Sequence, residues 1–136
     1  MLNNSTEDIE QITATLKFYS EAFKEWNYNK LVKAFHSEAS ISYVENNELV
    51  ITKPYSIWKD IFDKNKREDP GIKYDILLEH IDHSSTVAFA RMKWLIESPG
   101  KIEDTIDYLI LMKFESEWLI VNKIPYTVTI SKNRTD

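Results

Sequence analysis

The first part of the chain is patterned at the helical period and its last half at the period of strands. Ile9, Ile12, Leu16, Tyr19, Phe23 and Trp26 recur at alternating spacings of three and four, while Glu10, Lys17, Glu21 and Lys24 fall elsewhere. That spacing stacks the apolar set on one helical face, and Ser5 or Thr6 is the expected cap. After Asn27 a shorter helix carries Leu31, Ala34 and Phe35 until His36-Ser37-Glu38 interrupts it, so the two helices are expected to form a helical hairpin. Pro54 opens a third helix, with Ile57, Trp58, Ile61 and Phe62 as its buried side, ending before Pro70-Gly71.

Strand patterns fill the rest. Ala39 to Val44 and Leu49 to Thr52 read as a hairpin, because Asn46-Asn47 tolerates the positive φ angles of a tight turn. Residues 73–81, 86–97, 104–115 and 117–130 are rich in Val, Ile, Tyr, Phe and Trp. Asp82-His83-Ser84-Ser85, Pro99-Gly100 and Glu115-Ser116 separate them, which predicts a four-strand meander. In its third strand Ile106, Tyr108, Ile110 and Met112 oppose Leu109 and Leu111, so both faces are apolar. An antiparallel sheet normally wets one face. Helices are expected to cover one side and a second copy of the chain the other, giving a homodimer through the sheet.

Composition narrows the chemistry. With 136 residues and no linker or repeat, residues 1–136 read as one domain. There is no cysteine, which removes disulfides, thiolate nucleophiles and thiolate metal sites. Gly71 and Gly100 are the only glycines, so no phosphate loop, dinucleotide turn or nucleophile elbow can be written. Lys and Arg total 17 against 22 Asp and Glu, and the basic run Lys64 to Arg67 is flanked by Asp63, Glu68 and Asp69, which argues against nucleic acid. No apolar run reaches membrane-spanning length and the start carries no secretory pattern, so a cytoplasmic location without membrane partners is expected. No cofactor is implied.

Several stretches together carry a resemblance: Phe18-Tyr19-x-x-x-Phe23, Leu31-x-x-Ala34-Phe35-His36-x-x-Ala39, Val87-Ala88-x-Ala90-Arg91, Asp107-Tyr108-Leu109-x-Leu111-x-Lys113 and Trp118-x-Ile120-Val121-Asn122-Lys123. In this order, over nearly the whole chain, they resemble the nuclear-transport-factor-2-like superfamily, and within it the branch labelled putative lumazine-binding. The resemblance implies an α+β fold, a cystatin-like roll in which a cone-shaped curved antiparallel sheet wraps the helical hairpin and third helix. The superfamily also holds ketosteroid isomerases, polyketide cyclases and scytalone dehydratase. Against the isomerase pattern, Tyr19 falls where that family has its oxyanion-stabilising tyrosine and Asp107 where it has a protonated aspartic acid. The position of the general base is Tyr43 here, and a phenol with a reference pKa near about 10 is a poor base at neutral pH.

The residues read in the same direction. Asp107 stands mid-strand on the alternation of Thr105, Leu109 and Leu111, so its carboxylate is expected to point into covered space, where it needs a proton, a partner or a hydrogen bond. An apolar wall would raise its pKa until it donates. A structural bond to Tyr19, Lys123 or water is the plainer alternative. Lys123 meets Asp107 on one face only if the strand register allows it, because a two-residue turn at Glu115-Ser116 places them on opposite faces.

Tyr19 belongs to the apolar stripe, so it is core with a hydroxyl to satisfy unless it is a donor to ligand. His36 is expected near a helix end as a cap, with a ligand contact or base as the sharper option. Glu45 shares a face with Tyr43 but adjoins the turn, where a carboxylate is solvated. His80 and His83 are three apart, which in a strand sends them to opposite faces and argues against a metal site. Arg91 and Lys93 share one face and read as surface ion pairing.

The leading expectation is a non-catalytic small-molecule-binding domain, its apolar, aromatic-lined pocket formed by Asp107, Tyr19, Tyr43, Trp58, Trp94 and Met92. Its ligand would be a small apolar or aromatic molecule. One alternative is an isomerase, cyclase or dehydratase in which Tyr19 and Asp107 stabilise an enolate-like oxygen and His36 or Glu45 is the base. The other is a dimerising interaction module with a residual cavity.

Overall fold

A computed structural model describes residues 5–64 and 71–131. Helices α1 (Ser5–Glu25), α2 (Tyr28–Ala34) and α3 (Pro54–Lys64) pack with strands β1 (Phe35–Glu45), β2 (Glu48–Thr52), β3 (Lys73–Ser84), β4 (Val87–Ser98), β5 (Lys101–Phe114) and β6 (Glu117–Ser131). The fold is α+β, a single six-stranded sheet in the order β2-β1-β6-β5-β4-β3. All neighbouring strands are antiparallel except β1 and β6, which run parallel, so the sheet is mixed where an antiparallel one was expected. No helix among the described residues is long and apolar enough to cross a membrane.

The buried stripe of α1 is Asp8, Ile12, Thr15, Leu16, Tyr19 and Ala22. Ile9, expected inside, is 43% exposed, because the stripe begins one residue earlier on a carboxylate. Asp8 is held there by Lys113 Nζ at 3.0 Å and Trp118 Nε1 at 3.1 Å, tying the first turn of α1 to the β5–β6 hairpin. Trp26 lies beyond the helix: at φ 56 it turns the chain left-handed, and Asn27 N–H reaches back to the Ala22 carbonyl at 2.8 Å. This is the six-to-one bond that closes a helix where glycine is usual. The start of α1 at Ser5 leaves the position before it outside the described residues, and Thr6 lies within the first turn. Asn27 caps α2, its side chain accepting from Lys30 N–H at 3.3 Å.

Phe35 is not part of α2. It begins β1, where its carbonyl accepts from the Tyr55 hydroxyl and so fastens α3 to the sheet. An apolar residue three or four places from the last buried one fits either element, and long-range pairing decided for the strand. Helix α3 buries Trp58 and Phe62 but leaves Ile57 and Ile61 exposed, since it meets the sheet along a narrow edge. The expected stop before Pro70 lies outside the described residues. The β1–β2 turn does use Asn46 and Asn47 at φ 52 and 65. Between β3 and β4 the strand runs on through Asp82, His83 and Ser84, leaving the turn to Ser85 and Thr86.

Besides a register shift between Phe35 and Ser40 in β1, single-residue bulges in β3 and β6 shape the sheet. Leu78 pairs with Met92 and His80 with Arg91, so Glu79 is an extra residue in β3. Leu111 pairs with Ile120 and Ile110 with Asn122, so Val121 is an extra residue in β6. Each bulge bends its strand and increases the local twist, curling the sheet around α1. Each also exchanges the two faces for every residue that follows.

Candidate functional site

The stripe of α1 and the alternation of β5 meet at one buried polar pair. Tyr19 is 1% exposed and Asp107 likewise, and the tyrosine hydroxyl donates to Asp107 Oδ2 at 2.6 Å. Burial first, and then Asp107, push the Tyr19 phenol well above its ordinary 10.0. The tyrosine hydroxyl is thus occupied by Asp107 Oδ2 and is not offered beside it as a second donor. The other oxygen of Asp107, Oδ1, is buried with no hydrogen-bond partner among the described residues. Neighbouring strands offer it little: Met92 lies opposite on β4 and Pro125, which has no N–H, on β6.

The pair closes the inner end of a cavity of about 520 Å³. Tyr19, Phe23 and Trp26 supply the α1 wall; Trp94 and Ile96 supply that of β4. The floor is the inward file of β5, Glu103, Thr105 and Asp107, beside Lys123, Pro125 and Thr127 of β6. Farther from Asp107 the file turns polar, with Thr105 and Thr127 hydroxyls 2.9 Å apart and Lys101 paired with Glu103 at 3.7 Å. Phe23 and Trp94 pack edge to face, as do Tyr19 and Trp94, which fixes the aromatic wall.

Lys123 reaches this cavity through the Val121 bulge. Were Val121 paired in a regular strand, Lys123 would fall opposite Tyr108 on the outer face; with Val121 bulged out, Lys123 pairs with Leu109 and Pro125 with Asp107. The ammonium lies over the rings of Tyr19 at 5.3 Å and Trp58 at 5.2 Å. It has no carboxylate partner among the described residues.

Of the residues singled out from sequence, Asp107, Tyr19 and Trp94 line the cavity, and Tyr43, Trp58 and Met92 do not. Trp58 touches it indirectly, through the Lys123 ammonium. His36 is outside the cavity lining: directly after the Phe35 cap of α2 it lies on β1, with its ring 4.7 Å from that of Phe114 and its Nδ1 accepting from Glu38 N–H rather than capping the helix. Glu45 is exposed beside its turn. Arg91 pairs with Glu79 on the outer face at 2.8 Å. His80 packs near Phe89 outside and His83 near Trp118 inside, because they are three positions apart in a stretch of β3 that pairs regularly after the Glu79 bulge.

Sequence reading missed Glu103, Thr127 and Trp26 as cavity residues. Glu103 was within reach, since it shares the parity of Asp107; Thr127 was not, because the bulge reverses parity before it. A second depression of about 390 Å³ lies across β3, β4 and β5, lined by Asp75, Leu77, Lys93, Leu95 and Asp104 among others. It lacks the buried Tyr19–Asp107 pair, so the cavity beneath α1 is the candidate site.

The model of one protein family, described as "Putative lumazine-binding", matches residues 7–126. The chain belongs to that family. Its nuclear-transport-factor-2-like architecture recurs in solved structures. An NTF2-like protein of unknown function from Shewanella baltica is 25% identical at a TM-score of 0.75, over 93% of this chain and 98% of the other. A protein titled putative scytalone dehydratase, from Novosphingobium aromaticivorans, is 17% identical at 0.74 over 96% and 91%. One titled putative ketosteroid isomerase, from Shewanella frigidimarina, is 13% identical at 0.67 over 85% and 94%. These last two share the fold. No curated protein matches the chain.

Proposed function

We propose that this member of the family binds a small, flat, mainly apolar molecule in the cavity beneath α1 and does not transform it. The observation that carries this reading is Asp107 Oδ1, a fully buried carboxyl oxygen with no partner among the described residues, on a side chain that lines an aromatic cavity. Leaving such an atom unsatisfied is costly, and a ligand hydroxyl or N–H satisfies it. A volume of about 520 Å³ suits a molecule of two or three fused rings.

Two features favour binding over turnover. The Tyr19 hydroxyl is committed to Asp107 rather than directed at a ligand. Tyr43, which stands where the resembling isomerases have their base, is outside the cavity lining. Glu103 is the other carboxylate there, but it is paired with Lys101 and lies four residues, about 13 Å of strand, from Asp107.

Calorimetry and thermal shift with flat bicyclic and tricyclic compounds, lumazine among them, test the reading. Binding is expected, with the bound compound recovered chemically unchanged and Asp107→Asn weakening it about tenfold. Failure of every compound to bind, or recovery of a converted product, contradicts it.

The outer sheet face supports a second reading, that two copies pair through it. Leu95, Met112, Ile124, Tyr126, Val128 and Ile130 are all exposed there, and an apolar area of that kind marks an interaction surface.

A further inference from the structure

The polar atoms of the cavity are unequally divided between donors and acceptors, and the imbalance specifies the ligand's charge. Beside the orphaned Asp107 Oδ1, two indole N–H groups, Trp26 Nε1 and Trp94 Nε1, are buried without partners among the described residues, and both residues line the cavity. Lys123 adds an ammonium with no carboxylate partner among the described residues, whereas Lys101 at the far end is already paired. Donors without acceptors thus outnumber acceptors without donors.

The geometry points to a planar aromatic anion as the ligand class, its carboxylate or enolate held by Lys123 and a hydroxyl or N–H of the same molecule donated to Asp107 Oδ1. This deepens the binding reading above and rests on it. Lys123 and Asp107 are diagonal neighbours across β6 and β5, on one face and near enough for a single rigid molecule to engage both. The rings of Tyr19 and Trp58 hold the ammonium in place, so little side-chain freedom is lost when an anion arrives. The aromatic wall takes the flat face of the ligand. Trp26 is placed there by a left-handed backbone that a bulky residue rarely adopts, an expense tolerated where a side chain has a task.

The probes are 6-hydroxy-2-naphthoate and its neutral counterpart 6-hydroxy-2-naphthamide, which share shape and hydroxyl and differ in charge. Binding is read by calorimetry and by quenching of tryptophan fluorescence on wild type, Lys123→Met and Lys123→Arg. The naphthoate is expected to bind wild type at least about tenfold more tightly than the amide. Lys123→Met should erase that preference and Lys123→Arg retain it, with both variants checked for an unchanged unfolding transition without ligand. If Lys123→Met fails that check, loss of the preference in wild type at high salt takes its place, and persistence there counts against the proposal. Equal binding of the two probes to wild type, or an undiminished preference in a folded Lys123→Met, overturns the charge assignment and leaves the cavity reading standing. Binding of neither probe at millimolar concentration overturns both.

Discussion

A tyrosine hydroxyl and a carboxylate that share one hydrogen bond inside a core depend on each other. Removing the hydroxyl in Tyr19→Phe leaves both oxygens of Asp107 buried without a donor, and urea denaturation is expected to show a loss of about 3 kcal/mol. Adding Asp107→Leu to that variant should cost much less than it does alone, because both members of the buried polar pair are then gone and no polar atom is left unsatisfied. The pair also predicts an alkaline limit. Since burial and Asp107 raise the folded-state pKa of Tyr19, its stabilising effect is complete below 10.0 and declines as pH rises above it. Tyr55, held by burial at about 12, contributes to the same decline. The fall in stability between pH 10 and 12 should therefore be shallower in Tyr19→Phe than in wild type. Asp107 and Tyr19 were legible in the sequence because parity and helical spacing act locally. The bond between them joins residues 88 apart in sequence and needed the fold.

Among elements, the helices and turns followed their spacing, and the departures share a cause. Ile9 and Asp8 exchanged places because hydrophobicity alone sets the stripe, whereas Lys113 and Trp118 wait on the sheet for a carboxylate. Those bonds hold the Asp8 carboxyl below its ordinary 3.8, first through Lys113 and then Trp118. A depressed value contributes stability above the ordinary carboxylate range and loses it as pH falls through the folded-state value. Acid unfolding of Asp8→Asn, followed by circular dichroism, is expected to show a flatter pH dependence below about pH 4 than wild type. The parallel β1–β6 pair and the bulges were not legible, since neither leaves a local signature: Glu79 and Val121 are ordinary strand residues. The face of Lys123 stayed undecided for that reason alone.

For the molecule as a whole, the exposed apolar outer face of the sheet is what the proposed pairing of two copies rests on. Tyr126 is 64% exposed amid exposed Ile124, Val128 and Ile130, with Met112 and Leu95 on adjoining strands. Light scattering is expected to give about twice the chain mass of 16.1 kDa, and Tyr126→Glu with Ile130→Lys to return it to that of one chain. A chain mass of 16.1 kDa for wild type at micromolar concentration would exclude pairing. These apolar residues and Lys123 owe their sides to the same extra residue in β6. Were that bulge ironed flat, so that Val121 paired in regular alternation, the rest of the strand would turn over: Ile124, Tyr126 and Val128 would face the cavity, and Lys123 and Thr127 the outer surface. A gene that lost the Val121 codon in frame would do no such thing, because Asn122 and Lys123 would then follow Ile120 in regular alternation and keep Ile110 and Leu109 as partners. Inheritance can therefore dispense with that residue but not with the irregularity while the residue is there, and a substitution that favours a flat strand at Val121 is more disruptive than its loss.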